Sequence, residues 1–240
     1  MSRPRVLSED VIIDVEGIDG VGKGTQSKIL CRAMRAKGYN ADIISFPRYD
    51  TFFGKMVGSY LNGTFGSLDT VPVEFASLLY ALDRWDYWKS ARHSQVLDEG
   101  RVIVIDRYVP SNIAHQAAKL PAEQRRQFAG WIAKLEYDVL AAPRPSLVIL
   151  LDMAVPLASK QVLLKAQREY TEQKKDLHEM DDAYLEAVRS EFLSFCEETP
   201  NARIVQCAKG ENVRSVEDIA EEILKLVGDF VGVGGKTAQE

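Results

Sequence analysis

The sequence predicts an α/β fold, a three-layer sandwich in which a five-stranded parallel sheet is covered by helices on both faces, with a helical lid added. Three observations predict it. Short β-branched runs recur along the chain, helical stretches separate them, and the first run opens directly into a glycine-rich segment that ends in lysine and threonine. Runs that are nearly continuous in apolar residues suit strands buried on both faces, joined by right-handed crossovers.

Taken in order, Val11 to Glu16 is the first strand. The helix after it carries Ile29, Leu30, Ala33 and Met34 at three- and four-residue spacing and stops at Gly38, a residue suited to a left-handed helix terminus. Ala41 to Phe46 is the second strand. Val73 to Leu97 reads as one long helix whose apolar face is Phe75, Leu78, Leu79, Leu82 and Trp85. Val102 to Asp106, Leu147 to Asp152 and Arg203 to Gln206 supply the remaining strands. Between the last two, Val155 to Glu198 contains Lys160, Lys165, Arg168, Lys174 and Lys175 ahead of Asp176, and a mobile lid is expected over roughly 158–178. Residues 1–231 then form a single domain, and the glycine-rich 232–240 is expected to be a flexible tail.

Composition narrows the function. A chain of 240 residues with 46% hydrophobic content can bury a substantial core. With 30 basic against 35 acidic side chains, the net charge of -5 argues against nucleic-acid partners and anionic membranes, so an anion site must be local. The cysteines Cys31, Cys196 and Cys207 are too few and too scattered for a disulfide framework or a zinc cluster. No stretch resembles a signal peptide or a bilayer span, and a cytoplasmic setting is expected.

The glycine-rich segment runs Gly17, Ile18, Asp19, Gly20, Val21, Gly22, Lys23, Gly24, Thr25, followed by Gln26. Between a strand and a helix it reads as a P-loop: backbone N–H groups curl around phosphate, the helix N-terminus adds positive potential, and Lys23 reaches the outer phosphates. ATP with Mg2+ is the expected ligand. Gly24 displaces the usual hydroxyl by one position, to Thr25, as in adenylate kinases. No guanine-reading Asn-Lys-x-Asp is present, although a P-loop switch or a non-catalytic nucleotide-binding module would use the same loop.

On the acceptor side, a buried strand ends in Asp106 and is followed by Arg107 and Tyr108. An aspartate there suits magnesium and an arginine suits bidentate contact with phosphate. Leu147 to Asp152 has the same shape, and Asp106 is preferred for the metal because Arg107 adjoins it. Tyr80 and Arg84 lie four residues apart on one helical face, where they can stack on a pyrimidine and hydrogen-bond its edge.

These motifs, in this order, resemble the thymidylate kinase family over residues 10–230. The resemblance rests on Gly17 to Gln26, Phe46-Pro47, Leu79 to Trp85, Asp106-Arg107-Tyr108 with Ser111 and Asn112, and Lys175 to Glu179. It implies transfer of the γ-phosphoryl group of ATP to dTMP in dTTP synthesis, with lesser activity on dUMP, in a homodimer. Another nucleoside monophosphate kinase, or a deoxynucleoside kinase, is the alternative enzyme. By the same resemblance Phe46, Leu61 and Tyr80 form the base pocket, Pro47 also binds the substrate, Arg84 and Asn112 meet the thymine edge, and Asp19 meets the 3′-hydroxyl. Ser111, His115 and Gln116 complete the substrate wall. Arg107 bridges the two phosphates, and Arg168, Lys174 or Lys175 comes from the lid.

Three positions depart from the family pattern. Tyr49 stands where many relatives carry a phosphate-binding arginine, which leaves Arg48 to substitute. His115 replaces an aromatic that crowds the sugar's 2′ side, and Gly20 stands where some members have a loop arginine. Because the acceptor is already a phosphate, positioning and charge neutralisation are expected to carry the chemistry without a strong general base, and His93, His115 and His178 are not required.

Overall fold

The structure is a computed structural model and describes residues 7, 9–93, 100–168 and 182–234. A five-stranded, all-parallel sheet has the order β2-β3-β1-β4-β5, formed by Val11–Glu16 (β1), Ala41–Ser45 (β2), Val102–Asp106 (β3), Leu147–Asp152 (β4) and Ala202–Gln206 (β5). Every strand expected from the sequence is present to within a residue at its ends. β1 is central, and successive crossovers leave it first toward β2 and later toward β5, so the topological switch lies at its carboxyl end. Ligands of open parallel sheets bind at such a crevice.

Helices cover both faces. Lys23–Ala36 (α1) and Val216–Gly234 (α8) lie over the core of Ile13, Val15, Leu30, Met34, Val104 and Ile149, with Asp182–Glu198 (α7) packing into the same cluster through Leu185, Val188 and Phe192. The opposite core gathers Ile12, Ile103 and Ile105 against Trp88, Ile113 and Ile132 of Val73–His93 (α3), Val109–Ala117 (α4) and Ala122–Ala133 (α5). The period-two alternation of β1 thus sends Ile13 and Val15 one way, and Ile12, Asp14 and Glu16 the other. Two carboxyls on one face of a central strand need polar company. Glu16 finds it at the start of α4.

Phe52–Leu61 (α2) is capped by Thr51, whose Oγ1 accepts the Gly54 N–H at 3.2 Å, and it packs on α3 around Val57, Tyr60 and Leu79. The end of α5 widens into a π-helical turn over Lys134–Val139, closed by Leu140 N–H donating to Leu135 O at 2.9 Å. The turn ends at Ala141, which has a φ of 54°, and the chain then passes through Pro143 and Pro145 into β4. A two-stranded hairpin, Ala208–Lys209 (β6) with Asn212–Val213 (β7), separates β5 from α8.

The long helix ends at His93 among the described residues, and Leu97 lies outside them. Val155–Arg168 (α6) forms the start of the expected lid. Lys174 and Lys175 lie outside the described residues, as does the side chain of Arg168. At the C-terminus α8 runs through Gly234, past the Gly232 at which a tail was expected, and 235–240 lie outside the described residues.

Candidate nucleotide site

The phosphate loop is shaped by its glycines. Gly17, Gly20 and Gly22 have φ of 141°, 93° and 94°, values that side chains resist. At Gly20 space is also missing: a Cβ would sit 2.1 Å from the carbonyl oxygen of Ala158 on α6. The loop is therefore seated on the first turn of α6, which leaves no room at Gly20 for the arginine that some relatives carry.

Lys23, buried at the first turn of α1, donates from Nζ to Ile18 O at 2.8 Å and lies 3.7 Å from Asp19 Oδ1. Burial, with Arg107 nearby, pulls its pKa down to about 8. Thr25 is exposed on the same turn, whereas Gln26 is buried and turned away, its Nε2 donating to Val216 O at 2.9 Å. Gln26 thus ties α1 to the start of α8 through its side chain.

Across the crevice, β3 delivers Asp106 beside the loop. Its Oδ2 lies 3.1 Å from where a Gly24 Cβ would be, so glycine after the lysine lets this carboxylate approach α1. Oδ2 also takes a long 3.4 Å bond from Ser45 Oγ, and Oδ1 is buried without a partner among the described residues. An under-satisfied carboxylate next to a phosphate loop fits magnesium, which takes one or two carboxylates and fills the rest of its shell with water and phosphate oxygens. Asp152, the rival by sequence shape, is occupied: Arg189 grips both its oxygens at 2.6 and 2.9 Å. Among the described residues no cluster of three or more acidic, histidine or cysteine side chains is arranged for a metal.

Arg107 occupies the gap between loop and acceptor wall. Its φ of 68° is left-handed, unusual for a long side chain and costing on the order of 1–3 kcal/mol. Glu16 holds it there. That buried carboxylate accepts Tyr108 N–H at 2.7 Å, Ser111 N–H at 3.1 Å and Ser111 Oγ–H at 2.5 Å, pinning the N-terminus of α4 to the end of β1. Arg107 Nη2 donates to Asp19 Oδ1, and the guanidinium keeps the Asp19 carboxyl far below the usual carboxylate range. Ser111 thus gives both its backbone N–H and its hydroxyl to Glu16.

The rest of the wall comes from four helices. His115 Nε2 is 3.4 Å from Arg107 Nη1, its Nδ1 is 3.3 Å from the Tyr184 hydroxyl of α7, and that hydroxyl donates to His115 O at 3.0 Å. Burial, then the adjacent Arg107, pushes the imidazole pKa down to about 3, so it is neutral throughout the physiological range. Gln116 accepts from Lys119, which also donates to the Tyr60 hydroxyl at 2.6 Å. Tyr60 meets Tyr80 edge-on at 6.3 Å between ring centroids, with Leu61 against the same cluster.

Arg84 and Asn112 do come together, on a residue that sequence reasoning missed. Glu136 of the π-helical turn is fully buried and accepts from Arg84 Nε and Nη2 at 2.5 Å each, and from Asn112 Nδ2 at 2.8 Å. Phe46 is roofed by the Arg84 and Arg48 guanidinium groups, each 5.9 Å from its ring centre, and Pro47 follows it. Arg48 is engaged with α3 through Nε and Nη2. It donates to Asp83 Oδ1 at 3.0 Å, Asp83 O at 2.7 Å and Asp86 Oδ2 at 2.8 Å, because Asp83 is a buried carboxylate on α3 that requires a cation. The arginine therefore fastens the β2–α2 loop to α3.

A central β1 opening into this loop, with a carboxylate and an arginine facing it from β3, defines a P-loop nucleotide-binding protein. Comparison with known proteins narrows the class. The family model described as thymidylate kinase matches residues 15–207, and the chain belongs to the thymidylate kinase family of enzymes. It is 35% identical over 162 residues to a thymidylate kinase of Mycobacterium tuberculosis strain H37Rv, covering 66% of this chain and 73% of that one. Similarity to a probable thymidylate kinase of Thermococcus onnurineus strain NA1 is 32% over 223 residues, 90% of this chain and 97% of that one. A solved thymidylate kinase from Candida albicans superposes with a TM-score of 0.68 at 22% identity, over 95% of this chain and 94% of that one. Among the described residues, no helix is long and apolar enough to cross a membrane.

Proposed function

We propose that the protein transfers the γ-phosphoryl group of ATP to dTMP, giving dTDP and ADP, and turns over dUMP more slowly. The observation that carries this reading is the position of Arg107: held in a left-handed backbone by Glu16, it adjoins Asp19 of the donor loop and the acceptor wall at once. A guanidinium between two phosphates draws them together and offsets charge moving in the transition state. Lys23 and the loop amides take the donor phosphates. Asp19, kept ionised by Arg107, is an acceptor for a sugar hydroxyl. Tyr80 supplies the stacking face, with Phe46, Pro47 and Leu61 behind it.

Asp106 and Thr25 would hold magnesium, which supplies neutralising charge at the β- and γ-phosphates when ATP binds. A nucleoside kinase would need a carboxylate base poised over a 5′-hydroxyl. Of the acidic groups near Arg107, Asp19 is paired with the guanidinium and Glu16 is held by α4, while Asp106 faces the phosphate loop beside Gly24, on the donor side. The thymine methyl is worth about 1–3 kcal/mol in an apolar pocket, which sets a modest preference over dUMP.

The test is ADP formation from ATP and magnesium with dTMP, dUMP, AMP or thymidine offered in turn, beside Lys23→Ala. Turnover is expected to be greatest on dTMP, weaker on dUMP, and reduced by at least about a thousandfold in the variant, since it removes a donor aimed at developing charge. A preference for AMP or thymidine would overturn the acceptor assignment, and inactivity with all four would leave a nucleotide-binding module.

A further inference from the structure

The Asn112 amide has only one workable orientation, and Glu136 is a reason for it. Asn112 Nδ2 gives one hydrogen to Glu136 Oε1 at 2.8 Å and the other to Ser77 O at 3.1 Å. Two acceptors face the same end of the amide, so a flipped side chain would set oxygen against oxygen at both. Oδ1 must then point the other way, and it is buried with no partner among the described residues. Arg84, locked to the same carboxylate through Nε and Nη2, retains guanidinium donors beyond the two that face Glu136.

We propose that Glu136 is a specificity-determining positioning residue: it fixes Asn112 as a hydrogen-bond acceptor beside Arg84 as a donor, so that the pocket selects 4-keto pyrimidines over 4-amino pyrimidines. The proposal rests on the reading of Arg84 and Asn112 as the base-facing pair and adds what sets their polarity. Thymine and uracil present a carbonyl acceptor at position 4 and an N–H donor at position 3. Cytosine presents the inverse, an amino donor and a bare ring nitrogen, and would leave buried groups on both sides unpaired. Packing cannot make this distinction, because the two rings have nearly the same shape. The π-helical turn is the device that supplies the carboxylate: the extra residue in its turn places Glu136 against α3 and α4, whose Arg84 and Asn112 approach it from different helices.

Glu136→Gln tests the proposal directly. The amide that replaces the carboxylate can present an N–H toward Asn112 where the wild type presents an acceptor, which leaves Ser77 O alone to fix the Asn112 amide, and it gives Arg84 a single acceptor. We would measure kcat/KM for dTMP, dUMP and dCMP near neutral pH on the wild type and the variant, with thermal unfolding and near-ultraviolet circular dichroism to establish the fold. The wild type is expected to prefer both keto substrates to dCMP by at least about a thousandfold, as sites built around a hydrogen bond do. In the variant the dCMP-to-dTMP ratio is expected to rise at least about tenfold, while the dUMP-to-dTMP ratio, which reads the methyl, stays within about twofold.

A folded Glu136→Gln that loses activity equally on all three substrates would show a merely structural role and overturn the inference. A wild type that uses dCMP as well as dTMP would also overturn it while leaving the kinase reading intact. A wild type inactive on dTMP would instead refute the proposed function. Should Glu136→Gln fail to fold, Glu136→Asp carries the same test: shortening by one methylene draws the acceptor from Asn112 while leaving Arg84 a charged partner. That variant is expected to raise the dCMP-to-dTMP ratio at least about threefold, and an unchanged ratio overturns the proposal.

Discussion

The donor loop is built from consecutive residues, 17–25, and works mainly through backbone: glycines at positive φ, amides at the start of α1 and a single lysine. The acceptor wall has the opposite construction. Arg107, Arg84, Asn112, His115, Tyr184 and Glu136 come from five separate elements, and each is held by a side chain distant in sequence. A backbone cradle is specified by local conformational preference, so a single added methyl group can destroy it. A side-chain wall is specified by buried carboxylates, so loss of charge loosens it by degrees. Glu16 and Glu136 serve here as fixed anchors, while Asp19 and Asp106 remain at the crevice.

The largest contrast is expected at Gly20. Gly20→Ala would place a Cβ 2.1 Å from Ala158 O and keep a non-glycine residue at a φ of 93°. ATP affinity is expected to fall more than about a hundredfold, the loop being unable to keep its seat without strain of several kcal/mol. dTMP binding, measured by calorimetry, is expected to change less than about threefold. Equal loss of both ligands would erase the distinction between the two regions.

Glu16→Gln should act in the other direction. One acceptor oxygen and the charge are lost from a carboxylate that takes three hydrogen bonds, so stability is expected to fall by about 2–3 kcal/mol. KM for dTMP should rise about tenfold as Arg107 loses its backbone support, while KM for ATP stays within about twofold. A change confined to ATP would assign Glu16 to the donor loop instead.

A smaller kinetic effect is expected from Arg48→Met. The change strands the buried Asp83 carboxylate and should destabilise the protein by about 3 kcal/mol in urea unfolding. With the fold intact at 25 °C, kcat/KM for dTMP should fall less than about threefold. A loss of a hundredfold or more, in KM alone, would return Arg48 to the acceptor phosphate.

The finest distinction is protonic. Lys23, at about 8 when its neighbours are protein groups alone, gains phosphate charge when ATP binds, and its pKa must then rise. ATP binding should therefore take up close to one proton at about pH 9 and almost none at about pH 6.5, read by calorimetry in buffers of different ionisation enthalpy. On the acceptor side His115, at about 3, is neutral across that span and should give dTMP binding no inflection near the ordinary histidine value. An inflection near 6.5 lost in His115→Asn would show that the imidazole is less buried than its packing implies.

The strand positions, the phosphate loop and its lysine were legible because each depends on a few adjacent residues: an apolar run, a glycine pattern, a helix behind it. The same reasoning placed Arg107 beside Asp106 and left Asp152 as a rival, which only Arg189 on α7 removes. Gln26 and Ser111 matched family motifs in sequence and Arg48 stood one position from the family's arginine, yet their side chains bond to Val216, to Glu16, and to Asp83 and Asp86. Position in a motif states what is near the ligand, not which way a side chain turns.

Glu16, Tyr184 and Glu136 carried no such signal. Glu136 stands in a polar-looking stretch, Lys134 to Asp138, that any periodicity count would assign to solvent, and it is buried only because α5 widens there. The sequence by itself determined the sheet, the loop and the family, since local propensity and short motifs act between neighbours along the chain. Tertiary structure decided which charges face the substrate and which are held by one another, because a buried carboxylate is stable only where groups from other elements converge on it, and that convergence depends on where β1, α3, α4 and the π-helical turn meet in space.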